Sequence, residues 1–461
     1  MTITMTTAHA YAREHAGDFK EQLKDLIRLP SVSTDPAYAP QVRRTAEWLV
    51  AHFTGLGLAA RLIEKEGRHP IVFAEWNGAG AAARTVLIYG HYDVQPAQKA
   101  DGWLTEPFEP VEQNGRIYAR GATDDKGQMF IHVKAVEAIL KTRGRLPVNV
   151  KFLIEGEEES GGEHIAQYVN SHPPELRADV CLISDGGMTR IEEPVIVNAL
   201  RGATGLEITV YGPKADLHSG MYGGSVYNPL QALAEIIARL HDDAGRVTVP
   251  GFYDDVLPLT AEERAEIAAT ELDEATWRAE TGASLPWGEA GYSLSERLGA
   301  RPTLEITGLA GGYHERGFKN IVPAKALAKI SIRLVANQQP AKILALVEDY
   351  LRQLTPPAVR LEITARAGGM GAALVNTATP MMQAAINAYR QGWGAAPVFK
   401  REGGSIPIVS SFQSVLGLPV ILMGFGLNSD GLHGPNESYS IEMFERGIAT
   451  AIHFLDEVAA L

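Results

Sequence analysis

Two residues apart in the stretch VLIYGHYDVQP stand a histidine and an aspartate, His91 and Asp93, directly after an apolar run from Val86 to Tyr89 that reads as a buried strand. Side chains at i and i+2 of an extended segment point the same way, so a metal-ligating imidazole and the carboxylate that orients it would meet there. The plainer alternative is a surface histidine beside a solvated aspartate. Further clusters bear on that choice. ARGATDDKGQ puts Asp124 and Asp125 just before a helix, where either also suits an N-cap. FLIEGEEESGG ends an apolar run in Glu157, Glu158 and Glu159, adjacent carboxylates that repel one another unless cations hold them or water solvates them. LISDGG repeats the strand-then-acid pattern at Asp185, DLHSG carries His218, and GLHGPNES carries His433 in a Gly- and Pro-rich loop.

Together these clusters offer imidazole and carboxylate but no thiolate, a mix that suits hard and borderline divalent cations and excludes a Cys-rich structural zinc site. The single cysteine, Cys181, sits in the apolar run Val180 to Ile183, reads as an inert buried thiol, and cannot form an intrachain disulfide.

The elements that must position these residues follow an alternating pattern. Helical spacing covers residues 9 to 29, stopped by Pro30, and 41 to 53, ended by Gly55. GLGLAA, from Gly55 to Ala60, nominally matches a dinucleotide fingerprint, but a helix precedes it and a strand follows, the reverse of what that motif needs. Strand-like runs at 58–63, 71–76, 85–90, 148–155, 180–184 and 195–198 interleave with helix-like runs at 127–142 and 162–171, which predicts an α/β sheet flanked by helices. Ligands in such sheets collect at the carboxyl ends of strands, where the polar clusters fall. From 201 to 366 the order becomes strand, helix, strand, strand, helix, strand (206–211, 229–240, 303–307, 325–335, 341–353, 359–365), with a long acidic excursion at 259–281. This predicts an inserted α+β split βαβ domain. Residues 1–200 and 367–461 are then two parts of one domain, the second part adding strands at 398–401 and 419–423 and helices at 379–390 and 440–459.

At 461 residues the chain is long enough for two or three domains. A net charge of -13 without Lys/Arg clusters argues against nucleic acid or an anionic membrane as partner. The first residues lack a basic start followed by an apolar segment, and no apolar stretch is long enough to span a bilayer, so a cytoplasmic location is expected.

In order along the chain, GHYDVQPA, GWLTEPFEP, RGATDDKGQ, EGEEESG, ISDGG, DLHSG, SIRLV, REGGSIP and LHGPNE resemble the successive motifs of the dimetal peptidase family that contains carnosinase and the cytosolic nonspecific dipeptidases. The resemblance implies a zinc-peptidase-like mixed sheet interrupted by a lid domain that dimerises. It implies two divalent cations per subunit, zinc foremost, although manganese or cobalt fits the same ligands. It assigns one cation to His91 and Asp185 and the other to Glu159 and His433, with Asp124 bridging, Glu158 as general base and Asp93 as the partner that fixes the tautomer of His91. It also implies a cis peptide between Asp124 and Asp125. Relatives often have asparagine at the second position, which leaves the role of Asp125 open.

The same resemblance gives His218 to the neighbouring subunit's active site as an oxyanion donor, making the active unit a homodimer. It gives Arg333 and Ser405 to the substrate's C-terminal carboxylate, for which a planar guanidinium is well shaped, and puts Asn320 where relatives often have a threonine facing the substrate. An exposed strand arginine and a simple turn at REGG are the plainer alternatives. The implied reaction is hydrolysis of dipeptides or very short peptides. N-acyl amino acid deacylases and carboxypeptidases share the chemistry but tend to have glutamate at the position of Asp185. An inactive metal-binding scaffold would lack Glu158, which is present.

Overall fold

The structure, a computed structural model, describes residues 7–461; the first six residues of the N-terminal segment lie outside the described residues. The chain forms two compact units. The first runs to Asn198 and resumes over Val375–Lys400 and Ile406–Leu461, and the second comprises Ala199–Leu374 and Arg401–Ser405.

The first unit is built on a mixed sheet. Its strands are β1 (Ala59–Ile63), β2 (Ile71–Trp76), β3 (Thr85–His91), β4 (Asn149–Glu155), β5 (Val180–Ile183), β6 (Val195–Leu200), β7 (Val398–Glu402) and β8 (Val420–Met423). They lie in the order β1-β2-β4-β3-β5-β8-β6, with β7 also pairing β6. The central four, β4, β3, β5 and β8, are mutually parallel. They are β-branched or apolar along almost their whole length because both faces are covered: every residue of β3 after Thr85 is buried, as is all of β5. Parallel strands share one carboxyl end, so His91, the turn after Glu155 and the loops after Ile183 and Met423 all leave the sheet on the same side.

The helix Lys126–Arg143 is the expected 127–142 run, and its residues from Lys126 to Ile139 are all buried. It packs against the C-terminal helix Ile441–Ala459 and against β3. A close approach fixes one glycine. A Cβ on Gly90 would stand 2.8 Å from both Asp125 Oδ2 and Met129 Cγ, so only glycine lets β3 carry His91 past the start of that helix. The Asp124–Asp125 peptide bond is cis.

The second unit is a split βαβ sandwich. Strands Thr303–Gly311, Lys325–Leu334, Gly202–Tyr211 and Arg360–Met370 lie side by side in that order, all antiparallel. Alternate residues of Lys325–Leu334 (Ala326, Ala328, Ile330, Ile332, Leu334) point into one core with residues of helices Pro229–Ala238 and Pro340–Leu354. The expected helical excursion is two short helices, Ala261–Ala269 and Glu274–Thr281, followed by a further one at Leu294–Gly299; the first and last are opened by capping boxes, Thr260 with Glu263 and Ser293 with Glu296. Three strands of this unit run further than expected, the last most of all. The Gly-rich run after residue 365 does not leave the sheet but extends the strand to Met370, paired to Ala203, with register shifts taking up the irregularity. Gly368 and Gly369 fall within one of these shifts, the usual place for glycine in a strand.

Candidate metal centre

His91 is the last residue of β3 and is wholly buried. Its Nδ1 lies 3.0 Å from the backbone carbonyl of Asp93 and 3.4 Å from that residue's Oδ1, which sets Nδ1 as the protonated nitrogen. Nε2 faces Asp124 Oδ1 at 3.1 Å and Asp185 Oδ2 at 3.9 Å. On the other side of Asp124, His433 Nε2 stands 3.0 Å from Oδ2 and 3.5 Å from Glu159 Oε2. Two donor groups result, His91/Asp124/Asp185 and Asp124/Glu159/His433, each with ligand atoms within 4.8 Å of one another. Imidazole with carboxylate in this number and spacing fits a divalent cation in each group, and Asp124 belongs to both.

The electrostatics fit cations as well. Burial would lower the pKa of His91, but hydrogen bonds with Asp124 and Asp93 outweigh it and raise the pKa well above the ordinary imidazole value. The same kind of balance holds Asp124 below its ordinary range: burial opposes the charge, and contacts with His433 and His91 favour it. Glu159 is pushed up by burial and by the charge of Asp124. Glu158, the first residue of the short helical stretch Glu158–Ser160, is pushed up to about 9 by burial and the surrounding carboxylates.

Asp93 does more than orient a ring. It is buried, and its two carboxylate oxygens accept the backbone amides of Glu158 at 3.2 Å and Glu159 at 3.1 Å. Asp125, whose role the sequence left open, is absent from both donor groups; its Oδ2 accepts the amide of His91 at 3.2 Å.

Of the remaining sequence candidates, Arg333 and Ser405 meet in the second unit, where Arg333 Nη1 donates to Ser405 Oγ at 3.0 Å. Arg333 lines a cavity of about 390 Å³ in that unit, with Arg201, Trp287 and Ser331 among its other walls. His218 and Asn320 form a second cluster there. The backbone of His218 pairs with Ile321, and the carbonyl of Asn320 accepts the amide of Ser219 at 2.9 Å. Exposed His218 accepts the Gly220 amide on Nδ1 at 3.0 Å, which leaves Nε2–H as a donor.

Sequence reading missed several supporting residues. Gln95 Nε2 donates to Glu159 Oε2 at 2.6 Å, and its place two residues beyond Asp93 is the one local signal for it. Buried Glu155, held by Tyr89 Oη at 2.7 Å and pushed up to about 8 by burial, lies under the site. Arg120 and Glu437 form a buried ion pair at 2.8 Å.

A mixed α/β sheet with imidazole and carboxylate groups paired around a shared aspartate is the frame of a two-cation centre. The family description of peptidase family M20/M25/M40 matches residues 87–457, and the chain belongs to that family. The chain is 32% identical over 452 residues to a Cys-Gly metallodipeptidase of Candida albicans, covering 94% of this chain and 93% of that one. Its structure is similar to that of human carnosine dipeptidase 1, with a TM-score of 0.82, 30% identity and 98% of each chain covered. It is also similar to the M20 family metallo-carboxypeptidase Sso-CP2 of Sulfolobus solfataricus, with a TM-score of 0.85, 32% identity, and 96% of this chain and 100% of that one covered.

Proposed function

We propose that this chain is a metal-dependent dipeptidase, hydrolysing the peptide bond of dipeptides or very short peptides. The observation that carries the reading is the sharing of Asp124 between two donor groups with Glu158 beside them. The family supports divalent metal ions. When bound, two such cations, zinc foremost and manganese or cobalt on the same ligands, supply Lewis acidity toward a water and a peptide carbonyl. With cations offsetting the carboxylate charge around it, Glu158 would be ionised, take a proton from the attacking water and deliver it to the leaving amine as the C–N bond breaks. Asp93 holds the ring of His91 and, through the amides of Glu158 and Glu159, the turn that carries the base.

The second unit acts in this reading as a lid and dimerisation domain. Arg333 and Ser405 receive the substrate's C-terminal carboxylate, Asn320 contacts the substrate, and His218 donates from Nε2 to the oxyanion in the neighbouring subunit's site. No described helix is long and apolar enough to cross a membrane.

The likeness to Sso-CP2 favours a second reading, a carboxypeptidase using the same chemistry. The deciding experiment is hydrolysis of free dipeptides, N-acetyl amino acids and longer peptides by metal-stripped protein reconstituted with zinc, manganese or cobalt. Dipeptides are expected to be cleaved best. A preference for longer peptides or for N-acylated substrates supports the second reading or a deacylase.

A further inference from the structure

Beyond the donor groups themselves, the described residues include a buried ion pair that touches two of the segments carrying them, those of Asp124 and His433. Glu437 and Arg120 are both buried, their side chains 0% and 3% exposed. The Glu437 carboxylate accepts the amides of Gly121 at 3.0 Å, Thr123 at 2.9 Å and Asp124 at 3.1 Å, and takes Arg120 Nη1 at 2.8 Å. Arg120 Nη2 reaches the other way, to the carbonyls of His433 at 3.0 Å and Gly434 at 3.1 Å. In the same loop His433 and Asn436 both adopt left-handed backbone, with φ of 60° and 64°, uncommon outside glycine though these two residue types tolerate it best.

We infer that Glu437 and Arg120 are positioning residues that divide the work between the two cation sites: Glu437 fixes the backbone of Asp124, common to both, while Arg120 fixes the backbone of His433, which belongs to one. The chemistry requires a carboxylate at 437. Three converging N–H groups and a guanidinium offer only donors, and an ionised carboxylate offers only acceptors. A glutamine there turns an NH₂ toward one of those donors. A lysine at 120 keeps the charge opposite Glu437, but as a single point charge it cannot also span to both loop carbonyls.

The inference rests on the proposed ligand set, and the test separates the two. Co²⁺ is titrated into metal-stripped protein and followed by visible absorption and calorimetry, in two backgrounds that each keep one complete donor group: His433→Ala, which retains His91/Asp124/Asp185, and His91→Ala, which retains Asp124/Glu159/His433. Each background is expected to bind one ion, and failure of both to do so overturns the ligand set and the inference together. Added to either background, Glu437→Gln is expected to weaken Co²⁺ binding about 10- to 100-fold. Arg120→Lys is expected to weaken it by a similar factor in the His91→Ala background and to leave the His433→Ala background within a factor of about two. Circular dichroism establishes that each variant is folded at the titration temperature. Should Glu437→Gln not fold, the selectivity of Arg120→Lys decides alone. Unchanged affinity in both backgrounds, or equal loss in both, contradicts a division of labour and leaves the pair a general scaffold contact.

Discussion

Asp93 meets His91 twice: His91 Nδ1 lies 3.0 Å from the Asp93 carbonyl and 3.4 Å from its Oδ1. Removing the carboxylate therefore leaves the backbone contact to the ring, yet strips the acceptor from the amides of Glu158 and Glu159. Asp93→Ala should weaken cation binding about 10- to 100-fold and lower turnover even at saturating metal, because the base's turn loses its anchor. Full recovery of kcat at high metal would place the effect on the ring alone.

Gly90 has no room for a side chain between Asp125 and Met129. Gly90→Ala should destabilise the protein by about 1 to 3 kcal/mol through overpacking, measured as a lower urea midpoint with an unchanged m-value, and should weaken cation binding because His91 is the next residue. A variant as stable as the parent would show that the strand and helix can part at no cost.

Arg333 and Ser405 meet at 3.0 Å in the second unit. If they take the substrate's carboxylate, Arg333→Lys should raise KM about tenfold or more for free dipeptides, the worth of a lost charge-assisted hydrogen bond, with a smaller change for dipeptide amides. An equal effect on both substrates would separate Arg333 from the carboxylate.

Lys134 provides a pH test in the scaffold. Its fully buried side chain donates to Glu137 at 2.7 Å and contacts His52 Nε2 at 3.0 Å. Burial pushes its pKa down to about 8, with Glu137 opposing. An unfolded lysine titrates near 10.4, so between about pH 8 and 10.4 the unfolded state holds the proton that the folded state has lost. Stability from this group thus rises with pH across that window, by up to about 3 kcal/mol, and is flat below it. The stability difference between the parent and Lys134→Met should shift toward the parent by that order from pH 7.5 to pH 10 in urea unfolding. A pH-independent difference would contradict the depressed pKa.

Legibility in the sequence followed the range of the interactions. β3, β4 and β5 could be read to within a residue because both faces of a central parallel strand demand apolar residues, and the acids at their ends stand out against those runs. The strand Arg360–Met370 was read five residues short, since Gly368 and Gly369 fall in a register shift between the pairs Gly205–Ala367 and Ala203–Met370 and break the side-chain pattern. The link from Arg120 to Glu437 spans 317 residues, and nothing local in RGATDD or GPNES says that an arginine and a glutamate will meet there. Asp93 lay between these cases: spacing brought it to His91, but its hold on Glu158 and Glu159 depends on β3 and β4 lying side by side.

The central claim is that Glu158 moves the proton while its neighbours hold the cations. Glu158→Gln, tested by Co²⁺ or Zn²⁺ stoichiometry alongside dipeptide turnover, measures this most directly. The account predicts two ions bound per chain with near-parental affinity and turnover reduced by about 10²- to 10⁴-fold. Turnover retained with both ions bound would contradict it.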